Sequence, residues 1–254
     1  CKNITNRSQL NYTQIFFIMK RNLSMIVAVF LVGATAFGQA VKDRNVIPVA
    51  VNLNQVLRMT ITNGGNIEFV FNTIDEYKNG ISGDVTSSGS ANPAASEPMY
   101  QTDFTVSSST RWMISYGSEE ATFIGTDNPA NTLALNNVGF TIVNNGAHAF
   151  ETGAAQGTTA GEVLWDEQQN AITGDPPAAL VAYPADLIED NDDLAVANAG
   201  DAGDNDFTLV WRCGTAESTN TVNPMNASAI IDQATSPNPD RYVTNVLFEL
   251  SVDN

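Results

Sequence analysis

Wherever this chain shows a period, hydrophobic side chains recur at every second position. Ile47, Val49, Val51 and Leu53 alternate with Pro48, Ala50 and Asn52. A repeat of two marks a strand with one buried face, so residues 46–53 are expected to form a strand. Pro48 cannot donate to a ladder, which assigns that strand to a sheet edge. The expected partner is the C-terminal strand of the same chain, with a neighbouring copy as the alternative. Leu57, Met59 and Ile61 repeat the pattern with Arg58, Thr60 and Thr62 opposite. Asn63-Gly64-Gly65-Asn66 tolerates positive φ, and Ile67, Phe69 and Phe71 then resume the alternation. That order predicts a hairpin.

Residues 75–96 are polar and rich in turn formers, so an exposed loop is expected there. Strands are predicted over 100–106 and 111–116, with Trp112, Ile114 and Tyr116 on one side. Shorter ones are predicted over 138–143 and 161–165. Residues 166–206 lack a period and are rich in Pro, Ala, Gly and Asp, which reads as a long irregular acidic insertion. Phe207, Leu209, Trp211 and Cys213 share one face of the next strand. The last strand, 242–252, sets Tyr242, Thr244, Val246, Phe248, Leu250 and Val252 on one side. Many short strands between turns predict an all-β fold, an antiparallel β-sandwich of immunoglobulin-like or jelly-roll-like kind with long acidic loops.

The N-terminal region reads differently. Met19 is followed by Lys20 and Arg21, an apolar run over 25–32 and the small residues of 33–38. These are the three parts of a signal peptide over 19–38, so the exported chain is expected to start at Gln39, or at Val41 by cleavage after Ala40. The apolar stretch is shorter than the roughly twenty residues of a membrane span, and no later segment reaches that length. Residues 1–18 read as an upstream extension, and 39–254 as one sandwich domain. Export implies an extracellular, cell-surface or periplasmic location.

Charge then narrows the partners. Removal of Lys2, Arg7, Lys20 and Arg21 with no acidic residue moves the formal charge from −17 to −21. Such a chain repels phosphate backbones and anionic lipid, which disfavours nucleic-acid binding. Cys213 is the only cysteine after residue 38. It reads as a small buried apolar residue, with pairing between chains as the alternative.

No residues fall into a catalytic motif. His148 is the only histidine and lies in a turn-like stretch, with no G-x-S-x-G segment to supply a nucleophile. One His and one Cys are too few for zinc. Trp112 and Trp211 read as core, whereas Trp165, before Asp166 and Glu167, is the candidate for stacking on a sugar. Asp190, Asp192, Asp193, Asp201, Asp204 and Asp206 cluster beside Gly200 and Gly203. Calcium takes six to eight hard oxygens from flexible loops, so calcium is the candidate cofactor and these six its candidate ligands. The order is neither an EF-hand nor a β-roll repeat, and a solvated acidic loop is the other reading.

Residues 52–81 (NLNQVLRMTITNGGNIEFVFNTIDEYKNGI), 103–116 (DFTVSSSTRWMISY) and the ending DRYVTNVLFELSVDN resemble secreted β-sandwich proteins of the Bacteroidota. They also resemble fimbrial and spore-coat-like surface subunits. The resemblance implies an immunoglobulin-like structural or adhesive subunit and carries no site residue with it. The leading expectation is an exported, non-enzymatic surface subunit that assembles into a filament or layer. Its partners would be copies of itself, other surface proteins or glycans. An extracellular glycan-binding module, with or without calcium, and an acidic glycoside hydrolase with paired carboxylates are the alternatives.

Overall fold

Aromatic rings from two layers of strands meet in the interior. Phe104 and Phe207 lie 5.3 Å apart in one layer; Trp112 meets Phe207 at 6.1 Å and Phe248 meets Phe104 at 6.2 Å from the other. Each of these residues occupies an alternate position of its own strand, so period two in sequence has become one face in space. The computed structural model describes residues 48–83, 100–150, 164, 171–172, 175–189, 198–234 and 237–253. The chain divides into two units, 1–52 and 53–254, and every element named here belongs to the second.

In chain order the strands are β1 (Leu57–Asn63), β2 (Ile81–Ser82), β3 (Gln101–Ser108), β4 (Trp112–Ser118), β5 (Thr122–Gly125) and β6 (Thr132–Ala134). Then come β7 (Val138–Asn144), β8 (Ala178–Ala179), β9 (Ala185–Ile188), β10 (Gly200–Cys213), β11 (Tyr242–Val243) and β12 (Val246–Val252). A helix, α1 (Ile74–Asn79), precedes β2. One sheet has the order β1-β3-β10-β7-β8, with β2 also on β10; β12-β4-β9 and β11-β5-β6 form the others. Every ladder between named strands is antiparallel. The fold is an all-β antiparallel sandwich.

Trp112, Ile114, Tyr116, Phe140, Ile142, Leu187, Phe207 and Leu209 are fully buried between the layers. Burying such side chains stabilises by roughly 1.5–3 kcal/mol each, and this is the main favourable term in the fold. Trp211 and Cys213 are buried on the same face of β10, as their alternation requires.

Several expectations are corrected. Residues 48–56 form no strand, and Val49, Val51 and Leu53 are 85%, 76% and 91% exposed. The expected strand is therefore not formed over 48–53, whereas Val56, just before β1, accepts from the Ser109 N–H at 2.9 Å. Residues 67–71 are extended and turn Ile67, Phe69 and Phe71 against the core, yet they form no hairpin with β1. Among the described residues the only ladder of β1 is to β3. Alternation records which face is buried, not which strand lies alongside. The two ends of the chain do not close a sheet either, since β1 and β12 lie side by side without a ladder.

The expected loop at 75–96 begins with α1. Its Thr73 hydroxyl accepts from the Glu76 N–H at 3.2 Å, and Glu76 accepts in return from the Thr73 N–H at 2.8 Å. This capping box was legible as Thr73-x-x-Glu76. The irregular stretch 166–206 contains β8, β9 and the first half of β10. In its pairing with β3 the register runs from Gly200 opposite Ser108 to Asn205 opposite Val106, so residues 201–204 bulge out of the ladder. The expected strand at 161–165 and the signal segment 19–38 lie outside the described residues, apart from Leu164.

Candidate functional site

Along one side of the sandwich the two layers part and leave a groove of about 650 Å³. One wall is the turn after β1 and the extended segment 67–71. Gly64 makes that turn at φ 67°, and its carbonyl accepts a 2.8 Å hydrogen bond from the Thr102 hydroxyl. Phe69 stacks on Tyr100 at 4.8 Å and Phe71 meets Tyr77 of α1 at 5.3 Å, which holds the wall against the body. The other wall is residues 237–248, including β11 and the start of β12. At the bottom lie apolar side chains, among them Phe123, Leu133, Val138, Leu180, Trp211 and Ile230.

The second wall is fixed by Asp240. Its Oδ1 accepts from the backbone N–H groups of Asp127 at 3.0 Å and Arg241 at 2.8 Å. Its Oδ2 accepts from the Asn128 N–H at 3.1 Å and the Asn131 amide at 2.9 Å. The Asp127 N–H, followed by the Asn131 amide, holds this carboxyl below the usual range, because these donors favour the ionised form. Across the groove mouth, Arg241 Nε donates to Glu68 Oε1 at 3.0 Å. Both side chains are more than half exposed, so this pair contributes little to stability.

The backbone along the groove is what gives it chemical content. Among the described residues the stretch 242–248 is laddered through β11 to β5 and through β12 to β4. Opposite it, 67–71 is extended and unladdered. Ile61, Val70, Val243 and Leu247 add exposed apolar surface on these edges. A free strand edge over an apolar channel accepts an extended peptide, whose main chain continues the ladder while alternate side chains fill the channel. No protein-family model matches this chain, and no curated protein matches it.

The residues singled out by sequence lie elsewhere. Asp190, Asp192 and Asp193 are outside the described residues. Asp201 and Asp204 occupy the bulge of β10, where Asp201 Oδ1 accepts from the N–H groups of Gly203 at 2.7 Å and Asp204 at 3.2 Å. Asp204 Oδ2 in turn accepts from the Asp201 N–H at 3.1 Å. Asp206 lies in the ladder opposite Thr105. Among the described residues no group of three or more His, Cys, Asp or Glu side chains is placed to hold a metal ion. His148 is half-buried next to this bulge, its Nε2 within 3.1 Å of where a Cβ on Gly200 would sit. Trp165 is outside the described residues, and Trp112 and Trp211 are core. Burial pushes the Cys213 thiol up to about 12.

Sequence reading missed the groove walls. The usable signal was the apolar alternation at Ile67, Phe69 and Phe71, which has no strand of its own to pair with. Among the described residues no helix is long and apolar enough to cross a membrane.

Proposed function

We propose that this protein is an exported, non-enzymatic structural or adhesive surface subunit that associates with copies of itself. The observation that carries the reading is the apolar groove bounded by 242–248, whose ladders among the described residues are those to β4 and β5. A protein that works alone usually covers or blunts an exposed strand edge. The signal-peptide pattern over 19–38 and the strong acidity agree with a surface role, since net charge keeps exported copies soluble until they meet a matched surface. Negative-stain microscopy of the chain beginning at Gln39, over a concentration series, tests the proposal. Regular filaments or layers are expected. Particles that stay single at every concentration would overturn it, and glycan binding by such particles would move the protein to the class of ligand-binding modules.

A further inference from the structure

Independently of assembly, we infer that the floor of the groove binds a small molecule, a long aliphatic chain with an uncharged head. The groove's volume of about 650 Å³ lies within the roughly 300–1,000 Å³ of sites that enclose a small organic ligand. Its polar side chains are already paired within the protein. The Trp211 indole N–H donates to the Thr102 hydroxyl at 2.9 Å, and that hydroxyl donates to the Gly64 carbonyl. The Tyr242 hydroxyl donates to the Asn238 carbonyl at 2.7 Å, and the Asp240 carboxylate is held by the N–H donors described above. Among the described residues, no lining side chain leaves a buried nitrogen or oxygen atom without a partner. A sugar entering the floor would give up its bonds to water and find no side chain to replace them. An aliphatic chain has none to lose.

Shape and charge narrow the class. The extended stretch 67–71 alone gives a wall of about 16 Å, so the channel suits a chain better than a compact ring system. Leu133, Val138, Leu180 and Ile230 make much of the floor aliphatic. Arg241 is the one base in the lining, and it is paired with Glu68 and preceded by Asp240. The whole chain carries a formal charge of −17. A carboxylate or phosphate head would therefore meet net repulsion at the mouth, which leaves an uncharged head. Val70 and Val243, exposed on the two edges, supply apolar cover for the part of the chain nearest that head.

Calorimetric titration of the chain beginning at Gln39 with octanol, decanol and dodecanol tests the site. One molecule should bind saturably per chain, and affinity should rise about fourfold for each methylene that enters the groove. Dodecanoate, ionised at about pH 8, should bind more weakly than dodecanol by more than about tenfold at low salt. Leu133→Trp fills the floor and should abolish binding. A second readout stands if that variant does not fold. Dodecanol brominated at its far carbon should quench tryptophan emission on binding, and Trp211→Phe should remove that quenching. Absence of saturable binding, equal binding of dodecanol and dodecanoate, binding retained by a folded Leu133→Trp, or quenching that survives in Trp211→Phe would overturn the inference. Microscopy separates it from the surface-subunit reading. Filaments or layers formed by chains that bind no dodecanol would remove the site and leave that reading in place. Dodecanol binding by chains that stay single would do the reverse.

Discussion

Trp112 and Asn198 are joined by three hydrogen bonds, although 86 residues separate them in the chain. The Trp112 N–H donates to Asn198 Oδ1 at 3.0 Å, the indole N–H to the Asn198 carbonyl at 2.7 Å, and the Asn198 amide to the Trp112 carbonyl at 2.7 Å. Both residues are fully buried. This contact ties the entry to β10 to the first residue of β4. Asn198→Ala leaves buried groups on Trp112 without partners and should destabilise by about 2–4 kcal/mol. Trp112→Phe removes the indole bond to the Asn198 carbonyl and leaves a cavity, so it should also destabilise, and the double variant reports how far packing couples the two sites. Urea unfolding midpoints measure all three; an additive double variant would show that the pair is not coupled.

Two adjacent glycines in the groove wall should behave oppositely. Gly64 has φ 67°, and a Cβ there would stand 1.7 Å from the Gln101 carbonyl oxygen. Gly65 has open space around its own. Gly64→Ala should destabilise by more than about 3 kcal/mol, as backbone must shift to admit the methyl group. Gly65→Ala should stay within about 0.5 kcal/mol of wild type. Equal effects in chemical denaturation would contradict this placement of the turn.

Acid should loosen the groove through Asp240. Its carboxyl is held below the ordinary value in the folded state, so its contribution is complete above the unfolded value of about 4. The contribution is lost as pH falls through the lowered folded value. Asp240→Asn should therefore lower the melting temperature near neutrality and reduce its fall between about pH 5 and pH 2. Parallel pH profiles for variant and wild type would remove Asp240 from this role.

Cys213 should be chemically silent in the folded protein. With the thiol pushed up to about 12 by burial, almost no thiolate forms at pH 8. Maleimide labelling should be slower than in the unfolded chain by on the order of a thousandfold, from the thiolate fraction alone. Fast labelling without denaturant, or a Cys213 disulfide between copies, would mean that β10 opens or that its core face is misassigned.

What the sequence determined by itself was the set of faces. Phe104, Trp112, Phe207 and Phe248 are inward because period two admits one buried side, and no distant contact can change that parity without breaking the strand. The all-β class follows from the same local rule. Partners were beyond it. Val49, Val51 and Leu53 alternate as cleanly as Leu57, Met59 and Ile61, yet among the described residues only the latter acquire a ladder, because β3 reaches β1 and its last backbone contact beyond it is Ser109 with Val56. Ile67, Phe69 and Phe71 likewise reach the core without returning along β1. The wall across from them depends on Asp240, which meets Asp127, Asn128 and Asn131 from more than a hundred residues away. Hydrogen bonds between segments so distant leave no period in the sequence. Faces were set locally by side-chain direction, whereas ladders, the bulge at 201–204 and the groove were decided by which segments tertiary packing brought together.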